Sequence, residues 1–133
     1  MRQAEPEGAV SGGVRMLLRL EGLAVLLVSV AAYAQLGAPW GAFAMLFLVP
    51  DLSFLGYLAG PRAGAATYNL AHSYVGPAAL LALGAAGGVP VALATALVWS
   101  AHIGLDRLLG YGLKYASGFA ATHLGRIGPA DPW

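Results

Sequence analysis

The chain has 133 residues, of which 59% are hydrophobic and only 10% charged, with a formal net charge of +1. Soluble domains carry about 25% charged residues, so this chain cannot clothe a water-facing surface and is expected to be an integral membrane protein of one domain. The absence of cysteine excludes disulfides, thiolate metal sites and cysteine nucleophiles, and the lack of a basic run leaves nucleic-acid binding without support.

Residues 1–13 are rich in Gly, Glu, Ala and Pro and carry no apolar period. They read as a disordered cytoplasmic lead. Four apolar segments follow, at 14–36, 40–58, 63–86 and 89–113, each near the ~20 residues that span a hydrocarbon core. Gly37-Ala38-Pro39, Gly60-Pro61-Arg62 and Gly87-Gly88-Val89-Pro90 separate them, all good turn chemistry. With short connections, neighbouring helices must run antiparallel. The expected fold is therefore all-α, an antiparallel four-transmembrane-helix bundle over residues 14–115, with a cytoplasmic or interfacial tail at 116–133.

Basic residues set the orientation. Arg2, Arg15 and Arg19 lie at the N-terminal end, Arg62 in the middle turn, and Arg107, Lys114 and Arg126 at or beyond the last helix, while the first and third turns have none. The positive-inside rule then makes both termini and the Arg62 turn cytoplasmic.

Ionisable groups within a membrane segment are costly, and each is a functional-site hypothesis. At ~1.5 Å per residue, the buried polar groups can be measured from the cytoplasmic ends of their helices. Glu21 comes at roughly 9 Å, Asp51 at about 12 Å, Asn69 and His72 at about 9 and 13 Å, and His102 and Asp106 at about 18 and 12 Å. All four helices thus contribute to the cytoplasmic half. His102 and Asp106 stand four residues apart, on one helical face. Carboxylates and imidazoles gathered in low dielectric keep their charge only by pairing or by binding a cation. Two His and two Asp suit Zn²⁺ or a similar divalent metal, which makes Asp51, His72, His102 and Asp106 the candidate ligands. Glu21 is the candidate general base, and Arg107 or Lys114 would hold an anionic head group.

Plainer readings stand beside these. His102 and Asp106 form an i, i+4 pair that by itself would hold a helix, and Asp51 after Pro50 suits a helix restart. Glu21 is placed to snorkel, Asn69 to join helices, and His123 to sit in the tail. Two other functions follow from the same residues. One is a small proton-coupled transporter using Glu21, which needs a second copy of the chain to form a pathway. The other is a structural or partner-binding membrane subunit whose polar residues fix helix register.

Residues 16–128 resemble a family of small bacterial membrane proteins known only as a domain of unknown function, of the 4260 type. The resemblance rests on Leu18-Arg19-Leu20-Glu21-Gly22, Pro50-Asp51-Leu52-Ser53 with Gly56-Tyr57, and Tyr68-Asn69-Leu70-Ala71-His72. It continues in His102-Ile103-Gly104-Leu105-Asp106-Arg107, Gly110-Tyr111-Gly112-Leu113-Lys114 and Thr122-His123-Leu124-Gly125. It implies a multi-pass protein of the cell inner (plasma) membrane and no particular activity. Pro50-Asp51, a later His72 and then His102-x-x-x-Asp106 are also similar to bacterial inner-membrane metal-dependent hydrolases. That looser likeness implies the same four ligands, although the chain lacks the His-Arg-x-x-Thr-His phrase of those enzymes. The depth of the cluster matches the reach of a head-group ester, so the expected function is a metal-dependent hydrolase of a lipid-like substrate at the cytoplasmic leaflet.

Overall fold

The computed structural model describes residues 4–128; the ends of the expected lead and tail, at 1–3 and 129–133, lie outside the described residues. Helix α1 (Gly12–Leu36) ends at Gly37, whose φ of 68° is the left-handed cap that only glycine adopts without strain. Helix α2 (Trp40–Phe47) passes into a 3₁₀ helix at Val49–Ala59. Helices α3 (Pro61–His72) and α4 (Val75–Gly87) follow, then α5 (Pro90–Leu109). A hairpin of two-residue strands, β1 (Ala121–Thr122) with β2 (Gly125–Arg126), is the last element among the described residues. Three helical units, Gly12–Leu36, Trp40–Ala59 and Pro61–Gly87, are long and apolar enough to cross a membrane.

Two expected continuous helices are interrupted, each for a local reason. Pro50 has no N–H, and its ring disfavours α-conformation at Val49. The chain tightens to i→i+3 bonding, with Asp51 N–H donating to Leu48 O at 3.2 Å. Its eleven residues exceed the usual length of such helices. The winding has a consequence for the site. At three residues per turn, Asp51, Phe54 and Tyr57 eclipse one another along a single face. The second break lies at Ser73, which is extended at φ −92° and ψ 144°. Pro77 has no N–H for the Ser73 carbonyl that a continuous helix would offer it. Neighbouring carbonyls at the break are taken from α5, Ala71 O by Trp99 Nε1 at 2.6 Å and His72 O by Arg107 Nη2 at 3.0 Å.

Packing places α5 at the centre. It runs antiparallel to α1, and the two backbones touch at Gly22 and Gly104. A Cβ on Gly22 would come within 2.5 Å of Arg107 Cβ and 2.7 Å of Gly104 O. Helix α4 packs on another side of α5, with Gly84 against Ala92 and Leu93, and the 3₁₀ helix runs antiparallel to α3, with Thr67 Oγ1 donating to Ser53 O at 3.0 Å. Helix α5 ends at Leu109, four residues short of the expected 113. Gly110, at φ 91°, lets Tyr111 N–H reach back to Asp106 O at 2.7 Å.

The segment beyond Gly110 folds back as an ordered layer. Asn69 clamps it through two bonds to the Lys114 backbone, at 2.8 and 2.7 Å. His123 accepts from Leu113 N–H at 2.8 Å, and Thr122 and Leu124 are buried. Part of the lead joins this layer, where a disordered segment is expected from composition. Val10 N–H donates to His123 O, and Glu5 pairs with Arg15 at 3.3 Å.

Candidate metal centre

Four side chains from three helical units meet at one point. Asp51 comes from the first turn of the 3₁₀ helix, His72 from the end of α3, and His102 and Asp106 from successive turns of α5. His72 Nε2 lies 3.2 Å from His102 Nε2, 3.4 Å from Asp51 Oδ1 and 3.3 Å from Asp106 Oδ2. His102 Nε2 lies 3.2 Å from Asp51 Oδ1 and 3.3 Å from Asp106 Oδ2. All four donor atoms fall within 4.8 Å of one another.

The surroundings orient the imidazoles. A carbonyl only accepts, so His72 Nδ1, 2.9 Å from Tyr68 O, carries its proton there. In the neutral ring this leaves Nε2 with a bare lone pair facing the other three donors, the tautomer that a metal ligand needs. The Tyr68 ring stacks flat on His72, centroids 3.8 Å apart at 8°, and holds its plane. Phe47 meets His102 edge-on at 5.0 Å. Both imidazoles are buried, whereas the Asp51 side chain is 44% exposed, so the cluster opens on its Asp51 side.

These residues could hold a metal ion, and the geometry fits one. A tetrahedral Zn²⁺ with bonds of about 2.0–2.1 Å separates its donors by about 3.3–3.4 Å. Five of the six separations in the cluster match that value. Nitrogen lone pairs and carboxylate oxygens at such distances repel unless a cation or a proton lies among them.

Asp51 and Asp106 also line a cavity of about 300 Å³ with Phe54, Tyr68, Phe119 and Lys114. The Lys114 ammonium lies 3.7 Å from the Phe119 ring centroid and 4.8 Å from that of Tyr68, and donates to Phe119 O at 2.7 Å. Burial pushes its pKa down to about 8, and the Asp106 charge opposes the shift. The aromatic faces favour the ammonium form.

Two residues expected to act in catalysis do not join this cavity. Glu21 and Arg107 line another, of about 530 Å³, together with Tyr74 and His123. The reason for Arg107 is the break at Ser73: its guanidinium satisfies the His72 carbonyl and so helps position that residue. Of the two basic candidates for a head group, Lys114 reaches the cluster's cavity. His123 is engaged with the Leu113 amide. Tyr68 and Phe119 are the site residues that sequence reasoning missed. Tyr68 carried a signal, since it precedes His72 by one helical turn, whereas nothing local to Phe119 points to the cavity it lines.

Residues 15–127 match the model of a family described as a domain of unknown function (DUF4260). No curated protein matches the chain, and no solved structure does.

Proposed function

The chain belongs to the DUF4260 family, whose description assigns no activity, and from the site itself we propose a membrane-embedded, metal-dependent hydrolase of a lipid-like substrate. The carrying observation is the set of five donor separations of 3.2–3.4 Å among Asp51, His72, His102 and Asp106. These four residues would hold a divalent ion, Zn²⁺ by donor type and spacing. When bound, such an ion would polarise a carbonyl or phosphoryl oxygen and ease the ionisation of water, which requires it to accept a further partner beyond the four residues, from the exposed Asp51 side.

The chain's own residues supply the rest. Tyr68 O keeps the His72 proton on Nδ1, away from the cluster. Lys114 sets a positive charge on the wall that Asp51 and Asp106 share, suited to an anionic reacting group. With Glu21 in the other cavity, no carboxylate outside the cluster lines this one among the described residues.

The bilayer reading is supported by the outer surface. Leu58 is 88% exposed, Leu70 77% and Met45 76%, and apolar side chains of this kind cover the outside of the helices. Contiguous apolar surface on that scale needs an apolar surround. The protein is read as multi-pass in the cell inner membrane, with the termini and the Arg62 turn cytoplasmic.

Elemental analysis of detergent-purified protein tests the metal. Wild type is expected to carry close to one zinc per chain and Asp51→Ala/His102→Ala none. Absence of metal from wild type, even after reloading, would overturn the reading and leave a protonated imidazole to satisfy the cluster. Hydrolysis of amphiphilic esters by the loaded protein, lost in the variant, tests the reaction.

A further inference from the structure

A second cavity adjoins that of the metal cluster and differs from it in chemistry. It has a volume of about 270 Å³ and mostly polar walls, and Arg15, Arg19 and Arg126 line it with Gly110 and Tyr111. The Asp51/Asp106 cavity is mostly apolar. Tyr111 and Ile127 border both, so the two lie side by side at the end of α5.

Two distant parts of the chain bring the guanidiniums together, the first turns of α1 with Arg15 and Arg19 and β2 with Arg126, and the fold supports each. Arg15 Nε and Nη2 donate to Val10 O at 3.1 and 2.9 Å, and its Nη2 pairs with Glu5 Oε1 at 3.3 Å. Arg19 Nε donates to Leu108 O at 2.8 Å, capping α5. Arg126 Nη2 reaches Ala4 O at 3.4 Å, while its backbone N–H donates to Glu5 Oε2 at 3.1 Å. Among the described residues, Glu5 is the one carboxylate paired with any of these guanidiniums, and it pairs with that of Arg15. The terminal amino groups of Arg19 have no acceptor among the described residues. Gly110 keeps the wall open beside them, its Cβ position lying 4.0 Å from Arg19 Nε.

We propose that Arg15, Arg19 and Arg126 form a binding site for a phosphate group. Guanidinium donors match phosphate oxygens in geometry and charge, and more positive than negative charge is gathered here. The site stands without the metal. Where the metal reading also holds, on which this last step rests, the two cavities together select a phosphate-bearing amphiphile. Its phosphate sits among the arginines and its less polar part beside Asp51 and Asp106. The phosphate comes either from a lipid head group or from a soluble compound.

The test uses the full chain in detergent and in nanodiscs, with thermal unfolding as readout and metal content measured on the same samples. Inorganic phosphate raising Tm saturably in detergent supports a soluble source. No response to phosphate, with a higher Tm in phosphatidylcholine nanodiscs containing phosphatidic acid than in phosphatidylcholine alone, supports a head group. In either arm Arg126→Gln weakens the response about tenfold, the effect of losing one charge-assisted hydrogen bond. Arg126 is exposed, so this variant folds independently of Arg19→Gln, which also removes a helix cap. No response to either probe overturns the proposal, as does a response that both variants retain in full. Loss of the response with metal content unchanged assigns the effect to the arginines and leaves the metal reading intact.

Discussion

At the scale of single residues, what matters is which nitrogen or oxygen each side chain commits elsewhere. His72 spends Nδ1 on Tyr68 O, and so presents Nε2 to the cluster. His123 makes the opposite commitment, because its Nδ1 accepts from Leu113 N–H and must be free of a proton. Burial and the nearby Arg107 charge lower its pKa below the ordinary 6.5. The unfolded chain therefore binds more protons between that depressed value and about 6.5, and stability rises with pH across the window. Acidification from neutral pH is expected to lower Tm as pH falls below about 6.5 and to stop doing so below the folded-state value. His123→Gln keeps an acceptor for Leu113 and does not titrate, so its Tm should lack this component when both proteins are unfolded from pH 8 to 5. An identical pH profile in the variant would show that His123 does not contribute.

At the scale of elements, the site depends on places where helices fail. The Pro50 break winds the following segment so that Asp51 and Phe54 share a face, and the Ser73 break leaves His72 as the last residue of α3. The helices that stay intact meet through small residues. Gly22→Ala puts a methyl group into the backbone of α5, where nothing flexible can give way. It is expected to cost about 1–3 kcal/mol, the range for overpacking, read as a lower Tm. Because Gly22 faces Arg107 and Gly104 lies between His102 and Asp106, the same change should also loosen metal retention. Gly41→Ala, in open space, should leave both unchanged.

At the scale of the whole molecule, the question is what surrounds it. The absence of native cysteine allows orientation to be read with single introduced thiols. In intact cells a membrane-impermeant maleimide should label Val89→Cys, whose position is exposed in the third turn. Arg62→Cys should be labelled only after permeabilisation. The reverse pattern would invert the assigned orientation, and labelling of both from outside would remove the multi-pass reading. The folded-back layer from Gly110 to Gly128 covers the same end as the Arg62 turn, and it carries Lys114 and Arg126 to the two cavities.

That Asp51, His72, His102 and Asp106 come together, where they could hold a metal ion, was legible in the sequence because an unpaired charge in an apolar segment is costly and their depths along the helices agreed. Three of the four expected spans are helical units long and apolar enough to cross a membrane, legible because span length follows from bilayer thickness, whereas α5 is not among them. Belonging to the family was legible in short phrases such as Pro50-Asp51-Leu52-Ser53. The rest depended on distance across the fold. Depth along a helix says nothing about which way a side chain faces around it, so Glu21, level with the cluster, lines a different cavity. Arg107 went to a carbonyl freed by a helix break, a need that exists only once α3 and α5 are packed. The ordered tail is held by Asn69, 45 positions from Lys114, and Arg126 meets Arg15 and Arg19 through contacts with Glu5 and Ala4, more than a hundred positions away. No local pattern encodes these contacts, and packing against the end of α5 alone brings them about.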